Sequence, residues 1–544
     1  MLMNRISIIS ALILLCVSFV SAQTKVYKVT FSDKGMEYSI DNPGVFLSDE
    51  SLYRRYENNI PVNESDLPVA PEYIKVINEK GYDIILKSKW FNAVFVQTDD
   101  SEKLSNIKEL PFVENIELVD SGTRNPNQRS SKFGNFSDKM PVALAYNFDY
   151  GNSYIQNAMI KADSLHESGF IGTGIKIAVL DGGFMGTDTI AVFSDLYEEN
   201  RVLGEKDFVD NGTVYAHSGH GTAVLSQIGG FDEGNLIGTA PGASFYLLRT
   251  EDVYAEYLLE EYFWAAGAEY ADSAGVHIIN SSLGYSEFDD PAQNHTYEDM
   301  DGNTTPISIA AEMAAEKGIL VVTSAGNEGD GDWQYITAPG DAAGAITVGA
   351  VTADGIYAPF SSIGPTSDGR IKPDVMAMGQ GNLVSTPTGG MSFGSGTSFA
   401  SPLIAGLAAC ILEAQPARNI ADVRDALRNT ASRNTNPSPT MGYGIANGVG
   451  AMSVVLQTPS FIQHNNITIF PNPVLKGNTI YIESPGEILN IGLFSSSGAV
   501  IPSDILKISD SYAEITPTQK SQEGIIYLKV YLKNSVSVFK VVVL

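Results

Sequence analysis

Apolar runs and helix-patterned segments alternate through the middle of the chain, from residue 147 to residue 457. Five of the runs are short, β-branched and almost continuously apolar, as buried parallel strands are: GIKIAVLD, SFYLLRT, GVHIINSSLG, GILVVTSAGN and AITVGAV. Between them, EDVYAEYLLEEYFWAAGAEYADSAG and ISIAAEMAAEKG have helical spacing. Parallel strands with helical crossovers predict a three-layer α/β domain over 147–457, with a site beyond the carboxyl ends of the strands.

The pattern before residue 122 is different, because strands and helices follow a split βαβ order. KVYKVTF, YDIILKS, NAVFVQT and VENIELVD are predicted strands, and APEYIKVINEKG and SEKLSNIKELPF are predicted helices. This order predicts a small α+β domain over 23–121. Residues 122–146 are polar, rich in Gly, Pro and Asn, and locally basic, which is typical of a linker open to proteolysis.

The last part of the chain, 461–544, again has its own pattern. Short alternating strands such as NTIYIES and GIIYLKVYL are separated by turn residues, which predicts a small all-β sandwich. The predicted fold class is therefore α/β, a three-layer parallel-sheet domain flanked by an N-terminal α+β domain and a C-terminal all-β domain.

Residues 1–22 have the pattern of a secretory signal peptide. Arg5 gives a positive start, ISIISALILLCVSFV an apolar core and VSA a small-residue cleavage site. A membrane anchor fits less well because the apolar run is short. Lipid attachment at Cys16, which follows Leu14 and Leu15, fits less well because a large Leu stands where a small residue is needed. Once the signal is removed, Cys410 has no partner, so we expect no intrachain disulfide.

Composition and charge narrow the classes of partner. The chain has 544 residues, 44% of them hydrophobic and 18% charged, which is a globular composition with room for three or four folded units. Its formal net charge of −29 argues against nucleic acid or an anionic membrane surface as a partner. It indicates a soluble protein that works among cations or tolerates salt. The excess of acid also raises the hypothesis that substrates are basic.

Three polar residues interrupt the apolar pattern at places that would open to one side of the sheet. Asp181 directly follows the strand IKIAVL, His220 stands in HSGHGTAV where a helix should begin, and Ser398 opens the helix that follows GTSFASP. A serine becomes a nucleophile when an imidazole takes its proton and a carboxylate holds that imidazole. Taken singly, the three have simpler interpretations: a turn residue, a structural histidine and a helix N-cap.

The blocks IAVLDGGF, SGHGTAV, INSSLG, SAGNEG and GTSFASP, in this order, resemble those of the subtilisin-like serine peptidases, the subtilases. The resemblance implies that Asp181 orients the base, that His220 is the general base and acid, and that Ser398 is the nucleophile. It also implies that Asn327, in SAGNEG, donates its side-chain amide to the oxyanion beside the backbone N–H of Ser398. Alone, Asn327 would be interpreted as a turn residue.

The resemblance further implies where a peptide substrate binds. An extended strand would pair with Ser282, Leu283 and Gly284, and with the loop around Gly326, so that backbone bonds give affinity and side-chain pockets give preference. Glycines at these positions have an alternative interpretation, because the ends of strands need turns.

Two positions depart from the family's usual pattern. Gly182 follows the candidate catalytic Asp where a hydroxyl residue is usual, and Ala223 stands in the HGT block where a second His is frequent. Neither position belongs to the triad, so we expect fine geometry rather than activity to be affected.

Many subtilases bind calcium, although the resemblance implies no cofactor for the chemistry. In YEDMDGNTT, Asp299, Asp301 and Asn303 offer oxygen ligands at alternating positions around a Gly turn. The closing bidentate Glu of a full calcium loop is missing. A solvated acidic loop is therefore the favoured interpretation, with structural calcium as the alternative.

Both flanking domains have family counterparts. The N-terminal domain occupies the position of a subtilase propeptide, an inhibitor and folding aid, and FLSDESLYRRY and SKWFNAVFV resemble the front ends of secreted subtilases of Bacteroidetes-type bacteria. The C-terminal domain, with FPNP at its start and FKVVVL at its end, resembles the sorting domain of type IX secretion. An ordinary β-sandwich that binds carbohydrate or a surface is the alternative for this tail.

Together these features predict a secreted or cell-surface serine endopeptidase that passes through the periplasm and acts through an acyl-enzyme. Its expected partners are protein or peptide substrates, its own propeptide and the type IX machinery, with no nucleic acid. Two alternatives remain open: a catalytically inactive subtilase fold that binds a surface, and a serine hydrolase that acts on esters.

Overall fold

The computed structural model describes residues 24–99, 104–122, 148–415, 419–456, 467–495, 500–518, 524–532 and 535–543. The predicted signal peptide, 1–22, and nearly all of the predicted linker, 123–146, lie outside these residues. The chain divides into two compact units, one up to residue 456 and one from residue 457. The first unit contains both the N-terminal domain and the α/β domain.

The N-terminal domain is a four-stranded antiparallel sheet with three helices. Its strands are β1 (Lys25–Phe31), β2 (Asp83–Ser88), β3 (Ala93–Thr98) and β4 (Val113–Asp120), in the order β2-β3-β1-β4. Its helices are α1 (Asp49–Glu57), α2 (Pro71–Glu79) and α3 (Ser105–Lys108). This is the predicted order with α1 added. The buried side chains of α1 are Ser51, Arg54 and Arg55, so the helix has no apolar stripe from which it could be predicted.

The α/β domain is built on a seven-stranded parallel sheet. Its strands are β5 (Lys176–Asp181), β6 (Val202–Asp207), β7 (Phe231–Asp232), β8 (Leu236–Ile237), β9 (Ser244–Arg249), β10 (Ile278–Ser281), β11 (Leu320–Ser324), β12 (Ile346–Val351), β13 (Val375–Met378), β14 (Gln380–Ser385) and β15 (Met391–Ser395). The parallel sheet has the order β13-β12-β11-β10-β5-β9-β6. All five predicted strands are present. The outer strands β6 and β13 are not evident from the sequence, because β6 carries a Gly and three charged residues and β13 has four residues.

Helices cover both faces of the parallel sheet and make the predicted three layers. They are α4 (Tyr154–Met159), α5 (Ala162–Glu167), α6 (Ser194–Glu198), α7 (His220–Gly229), α8 (Leu259–Ser273), α9 (Pro306–Glu316), α10 (Ser401–Ala414), α11 (Ile420–Thr430) and α12 (Gly448–Leu456). Helices α7 and α10 share one apolar core with the sheet, and α8 and α9 share the other. The N-terminal sheet adds to the second core, where the Tyr262 ring lies 5.2 Å from that of Phe91 and 4.8 Å from that of Phe95.

Among the described residues, one helical stretch, Thr397–Ala414, is long and apolar enough to span a membrane. It contains α10, and 89% of it is buried inside the protein. Its apolar surface is therefore used in the core of the α/β domain.

The C-terminal unit is all β. Its strands are β16 (Thr468–Phe470), β17 (Ile480–Glu483), β18 (Ile488–Ser495), β19 (Val500–Ile501), β20 (Ser503–Ser509), β21 (Tyr512–Pro517), β22 (Gly524–Leu532) and β23 (Ser535–Val543). They form two four-stranded sheets, β16-β17-β21-β20 and β19-β18-β22-β23. Residues from both sheets, among them Ile482 and Leu528, bury one shared apolar core, as expected for a sandwich.

Candidate active site

Asp181 and His220 are joined by a hydrogen bond at the carboxyl edge of the parallel sheet. Asp181 ends β5 and is fully buried, and His220 begins α7 with 4% of its surface exposed. The Nδ1 atom of His220 lies 2.9 Å from Oδ2 and 3.0 Å from Oδ1 of Asp181. A carboxylate in this position fixes the orientation of the ring and directs its Nε2 atom away from Asp181.

Two glycines after Asp181 explain the local geometry. The backbone N–H of Gly182 donates to Oδ1 of Asp181 at 2.8 Å, so the carboxylate has a donor although the usual hydroxyl residue is missing. A Cβ on Gly183 would lie 2.9 Å from the backbone nitrogen of Ser218, which is too close for any other residue. The Ser218 hydroxyl accepts the N–H of His220 at 3.0 Å. The glycine therefore lets the loop before α7 approach β5 and place the imidazole.

Ser398 lies in a single turn of 3-10 helix, Thr397–Phe399, just before α10 begins. Its exposed fraction is 8%, and its hydroxyl donates to the carbonyl oxygen of Ser282 at 3.1 Å. The Phe399 ring lies 5.6 Å from the His220 ring, so the turn that carries Ser398 packs beside the imidazole. The Asp, the His and the Ser predicted from sequence thus come to one edge of the sheet.

The segment after β10 is tied to the same turn. The Ser282 hydroxyl donates to the carbonyl oxygen of Ser398 at 2.9 Å and lies 3.1 Å from the hydroxyl of Ser401. These bonds hold residues 282–284 at a fixed position relative to the serine, which a rigid substrate-binding edge requires.

Asn327 follows β11 and is held on one side only. Its Oδ1 atom accepts the N–H of Thr397 at 2.8 Å and the hydroxyl of Thr397 at 3.0 Å. Because the oxygen of the amide is engaged, its Nδ2 group is directed away from Thr397 and is available as a donor. Asn327 is exposed to solvent, as a group that receives a substrate oxygen must be.

A pocket of about 450 Å³ opens beside Ser398. Its lining includes Ser398, Asn327 and all four predicted substrate-binding residues, Ser282, Leu283, Gly284 and Gly326. A pocket next to a nucleophile is where a substrate side chain would enter.

Sequence reasoning missed several residues of this pocket. Carboxylates line it at Glu251, Glu256, Glu287, Glu328 and Asp332, and Thr337 forms part of its buried wall. The overall acidic charge was the available signal, but it gave no positions. Glu328 alone lies within a recognised block, SAGNEG.

The carboxylates of the proposed calcium loop are used within the loop. Oδ2 of Asp299 accepts the N–H of Thr296 at 2.7 Å and its hydroxyl at 2.9 Å. Oδ1 of Asp301 accepts the N–H of Asn303 at 2.7 Å, and Oδ2 accepts the hydroxyl of Thr304 at 3.1 Å. These bonds favour the solvated acidic loop.

A second group with ligand-type side chains is found in the described part of the chain. Asp207, Asp210 and His217 place one ligand atom each within 4.8 Å of one another. The Arg249 guanidinium already binds both carboxylates, with Nη1 3.0 Å from Asp207 and 2.6 Å from Asp210. The charges of both carboxylates are thus already compensated by Arg249.

The N-terminal domain is attached to α8 by buried ion pairs. Arg54 and Arg55 contact Oδ1 of Asp272 at 2.6 and 2.8 Å, and Lys89 contacts Oδ2 at 3.0 Å. Arg55 also contacts Asp66 at 2.9 Å. Burial alone would raise the pKa of Asp272, but the charges of Lys89, Arg54 and Arg55 outweigh it, so the pKa is lowered.

A second carboxylate of α8 receives backbone donors from the N-terminal domain. Glu269 accepts the Ser88 hydroxyl at 2.5 Å, the N–H of Lys89 at 2.8 Å and the N–H of Trp90 at 3.0 Å. Burial raises the pKa of Glu269 in spite of these bonds. The N-terminal domain and α8 thus complete each other's polar contacts.

Comparisons with known proteins identify the family of this chain. The Subtilase family matches residues 172–445, and the Bacteroidota peptidase S8 propeptide domain matches residues 26–133. The chain is 30% identical to Subtilisin NAT of Bacillus subtilis subsp. natto over 362 residues, which cover 66% of this chain and 80% of that protein. It is 31% identical to Subtilisin of Bacillus pumilus, and the match covers 51% of this chain and 90% of that protein. It is 28% identical to the Thermostable alkaline protease of Halalkalibacterium halodurans, and the match covers 66% of this chain and 89% of that protein. The chain therefore belongs to the subtilase family of serine endopeptidases and carries a Bacteroidota-type propeptide domain.

Proposed function

We propose that this subtilase is an exported endopeptidase whose triad is Asp181, His220 and Ser398. The observation that carries the proposal is the hydrogen bond between Nδ1 of His220 and Asp181, made beside the turn that holds Ser398. It leaves Nε2 as the base and Ser398 as the only hydroxyl of the triad. Subtilases need no cofactor for this chemistry.

The reaction divides into two steps. The Ser398 oxygen bonds to the substrate carbonyl carbon while Nε2 of His220 takes the hydroxyl proton, and Nδ2 of Asn327 with the Ser398 N–H stabilises the oxyanion. The C–N bond then breaks, His220 gives the proton to the leaving amine, and an acyl-enzyme remains. Water next gives a proton to His220 and bonds to the acyl carbon. The ester bond breaks and Ser398 recovers its proton.

The substrate main chain would lie between two edges of the cleft. Ser282, Leu283 and Gly284 form one edge and Gly326 lies in the other, and all four line the pocket beside Ser398. Backbone pairing to such edges binds many sequences, whereas the pocket receives the side chain before the scissile bond.

The N-terminal domain would act as the inhibitor of the enzyme until it is removed. Support comes from its buried ion pairs to Asp272 and from the apolar core that it shares with α8 and α9. With the propeptide held in this way, the enzyme would stay inactive until cleavage in or near the linker separates the two domains. The proposed limits are 23–121 for this domain, 122–146 for the linker and 147–457 for the catalytic domain.

Export would use both ends of the chain. Residues 1–22 would direct the protein through the inner membrane, and the β-sandwich 461–544 would address it to type IX secretion. The Bacteroidota-type propeptide is consistent with this route. A fusion of 461–544 to a periplasmic reporter should reach the medium of a type IX-competent Bacteroidota host, and a reporter without it should not. Retention of both would refute the sorting role.

Activity of the mature enzyme on a protein substrate tests the triad. Wild type should release peptides and be labelled at Ser398 by a serine-directed reagent, whereas Ser398→Ala should do neither. Ser453→Ala is the control, because Ser453 is exposed on α12 and carries no proposed chemistry. If wild type and Ser398→Ala are equally inert and no serine-directed reagent labels Ser398, the proposed peptidase activity is wrong and the inactive alternative is favoured. Turnover of matched peptide and ester substrates separates peptidase from esterase.

A further inference from the structure

The pocket beside Ser398 has an unusual concentration of negative charge. Its described lining contains no Lys, Arg or His, and its carboxylates are Glu251, Glu256, Glu287, Glu328 and Asp332. Glu251 is buried, Glu256 is half-buried, and the other three are exposed. The carboxylates belong to three separate loops, which the tertiary fold brings together at this pocket.

These charges act on one another and on their surroundings. Partial desolvation, then the charges of Glu287 and Asp330, raises the pKa of Glu328. Burial, then the charges of Glu251 and other glutamates, raises the pKa of the Tyr285 hydroxyl. Neighbouring like charges oppose the ionisation of one another, and a cation placed among these carboxylates would reduce that repulsion.

Thr337 supplies a second and independent feature of the same pocket. It lines the pocket, is 4% exposed, and its hydroxyl oxygen is buried without a hydrogen-bond partner. A Cβ on Gly284 would collide with this hydroxyl, and a Cβ on Gly326 would lie 2.8 Å from it. The hydroxyl therefore lies between the two edges that would hold the substrate. A buried hydroxyl without a partner loses free energy that a ligand donor would restore.

We propose that this pocket binds the Lys or Arg side chain of the substrate residue that precedes the scissile bond. The inference rests on the proposed function, because that function places the scissile carbonyl between Ser398 and Asn327, both of which line the pocket. The apolar stem of a basic side chain would lie against Leu283 and Trp333. Its N–H groups would reach the Thr337 hydroxyl and the carboxylates.

A neutral apolar side chain fits this pocket less well. It would leave the Thr337 hydroxyl buried without a hydrogen-bond partner. It would also remove water from the carboxylates without giving them a new donor. An acidic side chain would add repulsion to the same loss. The pocket therefore discriminates by charge, and its volume of about 450 Å³ admits a long side chain.

Cleavage of a peptide library by the mature enzyme is the first test. We expect Lys and Arg to dominate the position before the cut, with kcat/KM about 100-fold higher for Arg than for Leu in matched peptides. The double substitution Glu256→Gln, Glu328→Gln should lower the Arg/Leu ratio about tenfold. Asp354→Asn, an exposed carboxylate outside the pocket, should leave it unchanged. Cleavage without Lys or Arg enrichment would overturn this proposal and leave the peptidase intact.

Binding to the Ser398→Ala chain, freed of its N-terminal domain by limited proteolysis, tests the pocket without catalysis. A peptide with Arg in the critical position should bind at least tenfold more tightly than its norleucine counterpart, and the difference should shrink with added salt. Thr337→Val, which keeps the shape and removes the hydroxyl, should weaken the Arg peptide severalfold and not the norleucine peptide. Equal binding of both peptides would refute the basic pocket even if the wild-type enzyme proved inactive.

Discussion

The side chain of Asn327 is fixed by the residue that precedes the candidate nucleophile. Oδ1 of Asn327 accepts both the N–H and the hydroxyl of Thr397, at 2.8 and 3.0 Å. The Thr397 hydroxyl shares its one proton between Oδ1 of Asn327 and the carbonyl oxygen of Gly326, which lies 3.1 Å away, and so ties the two loops together. The amide that would stabilise the oxyanion is therefore oriented before substrate binds, and preorganised donors of this kind cost no rearrangement during the reaction.

Two substitutions test this arrangement. Asn327→Ala should lower kcat about 10²–10³-fold with little change in KM, the magnitude measured when one such donor is removed from a subtilisin-type site. Thr397→Val keeps the shape and the backbone donor but removes one bond to Asn327, so we expect a smaller loss, again in kcat. Thr388→Val, on the exposed turn between β14 and β15, is the control. Steady-state kinetics on one peptide would contradict the role if Asn327→Ala changed only KM.

The buried ion pairs of Asp272 should dominate the attachment of the N-terminal domain. In a Ser398→Ala background, which keeps the chain uncut, Asp272→Asn leaves Arg54, Arg55 and Lys89 buried without their shared carboxylate. We expect a loss of about 3–5 kcal/mol in unfolding free energy, measured by denaturant unfolding.

The matched control for this prediction is an exposed pair on the same domain. Lys75 and Glu79 lie 3.9 Å apart on α2, and their side chains are 76% and 64% exposed. Glu79→Gln should therefore leave stability nearly unchanged. Equal effects of Asp272→Asn and Glu79→Gln would show that the network does not hold the two domains together.

His277 makes the stability of the precursor depend on pH. Burial, then the charges of Arg54 and Lys176, lowers the pKa of His277 to about 4. An unfolded His has a pKa near 6.5, so the unfolded chain takes up the proton first. The contribution of neutral His277 is therefore full above about pH 6.5 and is lost as pH falls through about 4. Denaturation midpoints of the Ser398→Ala chain should decrease over this window.

Substitution of His277 isolates its share of that decrease. Nδ1 of His277 accepts the N–H of Lys176 at 3.0 Å, and the amide oxygen of Asn can take the same bond without titrating. His277→Asn should flatten the curve between pH 6.5 and 4, whereas His217→Asn, at a histidine nearer the surface, should not. A slope that His277→Asn leaves unaltered would assign the acid sensitivity to other groups.

Some elements of this fold can be predicted from the sequence, and others cannot. The central strands are predictable because both faces of each are buried, so their apolar runs are continuous. Strand β6 and helix α1 are not, because an edge strand and a helix that buries two arginines lack that pattern. The candidate triad is predictable because each member adjoins a recognisable strand end or helix start.

Most of the pocket carboxylates could not be predicted from the sequence. Glu251, Glu256 and Glu287 lie in loops without a periodic pattern, and only the folding of β9 and β10 on either side of β5 brings those loops to Ser398. The sequence does not indicate a role for Thr337 either, because that role depends on a buried hydroxyl without a hydrogen-bond partner. The proposed specificity depends on residues that are brought together only by the tertiary fold, and a single sequence does not show which residues these are.

Metal removal should have no effect at the acidic loop 299–303. The oxygens of Asp299 and Asp301 accept hydrogen bonds from Thr296, Asn303 and Thr304, which stabilise this segment without a cation. We expect the same Tm with calcium and with EDTA, and no change in that comparison in Asp301→Asn. A Tm that falls with EDTA in wild type but not in Asp301→Asn would establish structural calcium at this loop.

The acidic pocket and the linker have opposite charges. Residues 122–146 contain Arg124, Arg129, Lys132 and Lys139 against one acid, Asp138, in a chain whose net charge is −29. The N-terminal domain also ends against the segment that follows β10. The carbonyl of Val119, in β4, accepts Nε2 of Gln293 at 3.0 Å, and the loop that carries Gln293 also contributes Glu287 to the pocket.

This placement predicts the site of maturation. The N-terminus of the mature enzyme, read by sequencing, should follow one of the four basic linker residues, because a Lys or Arg there would enter the acidic pocket. Changing all four to Gln should slow release of the N-terminal domain at least tenfold, whereas changing Lys75 and Lys80, exposed basic residues of that domain, should not. In Ser398→Ala no release should occur. A cut that depends on Ser398 but follows a neutral residue would mean that the pocket does not select the maturation site.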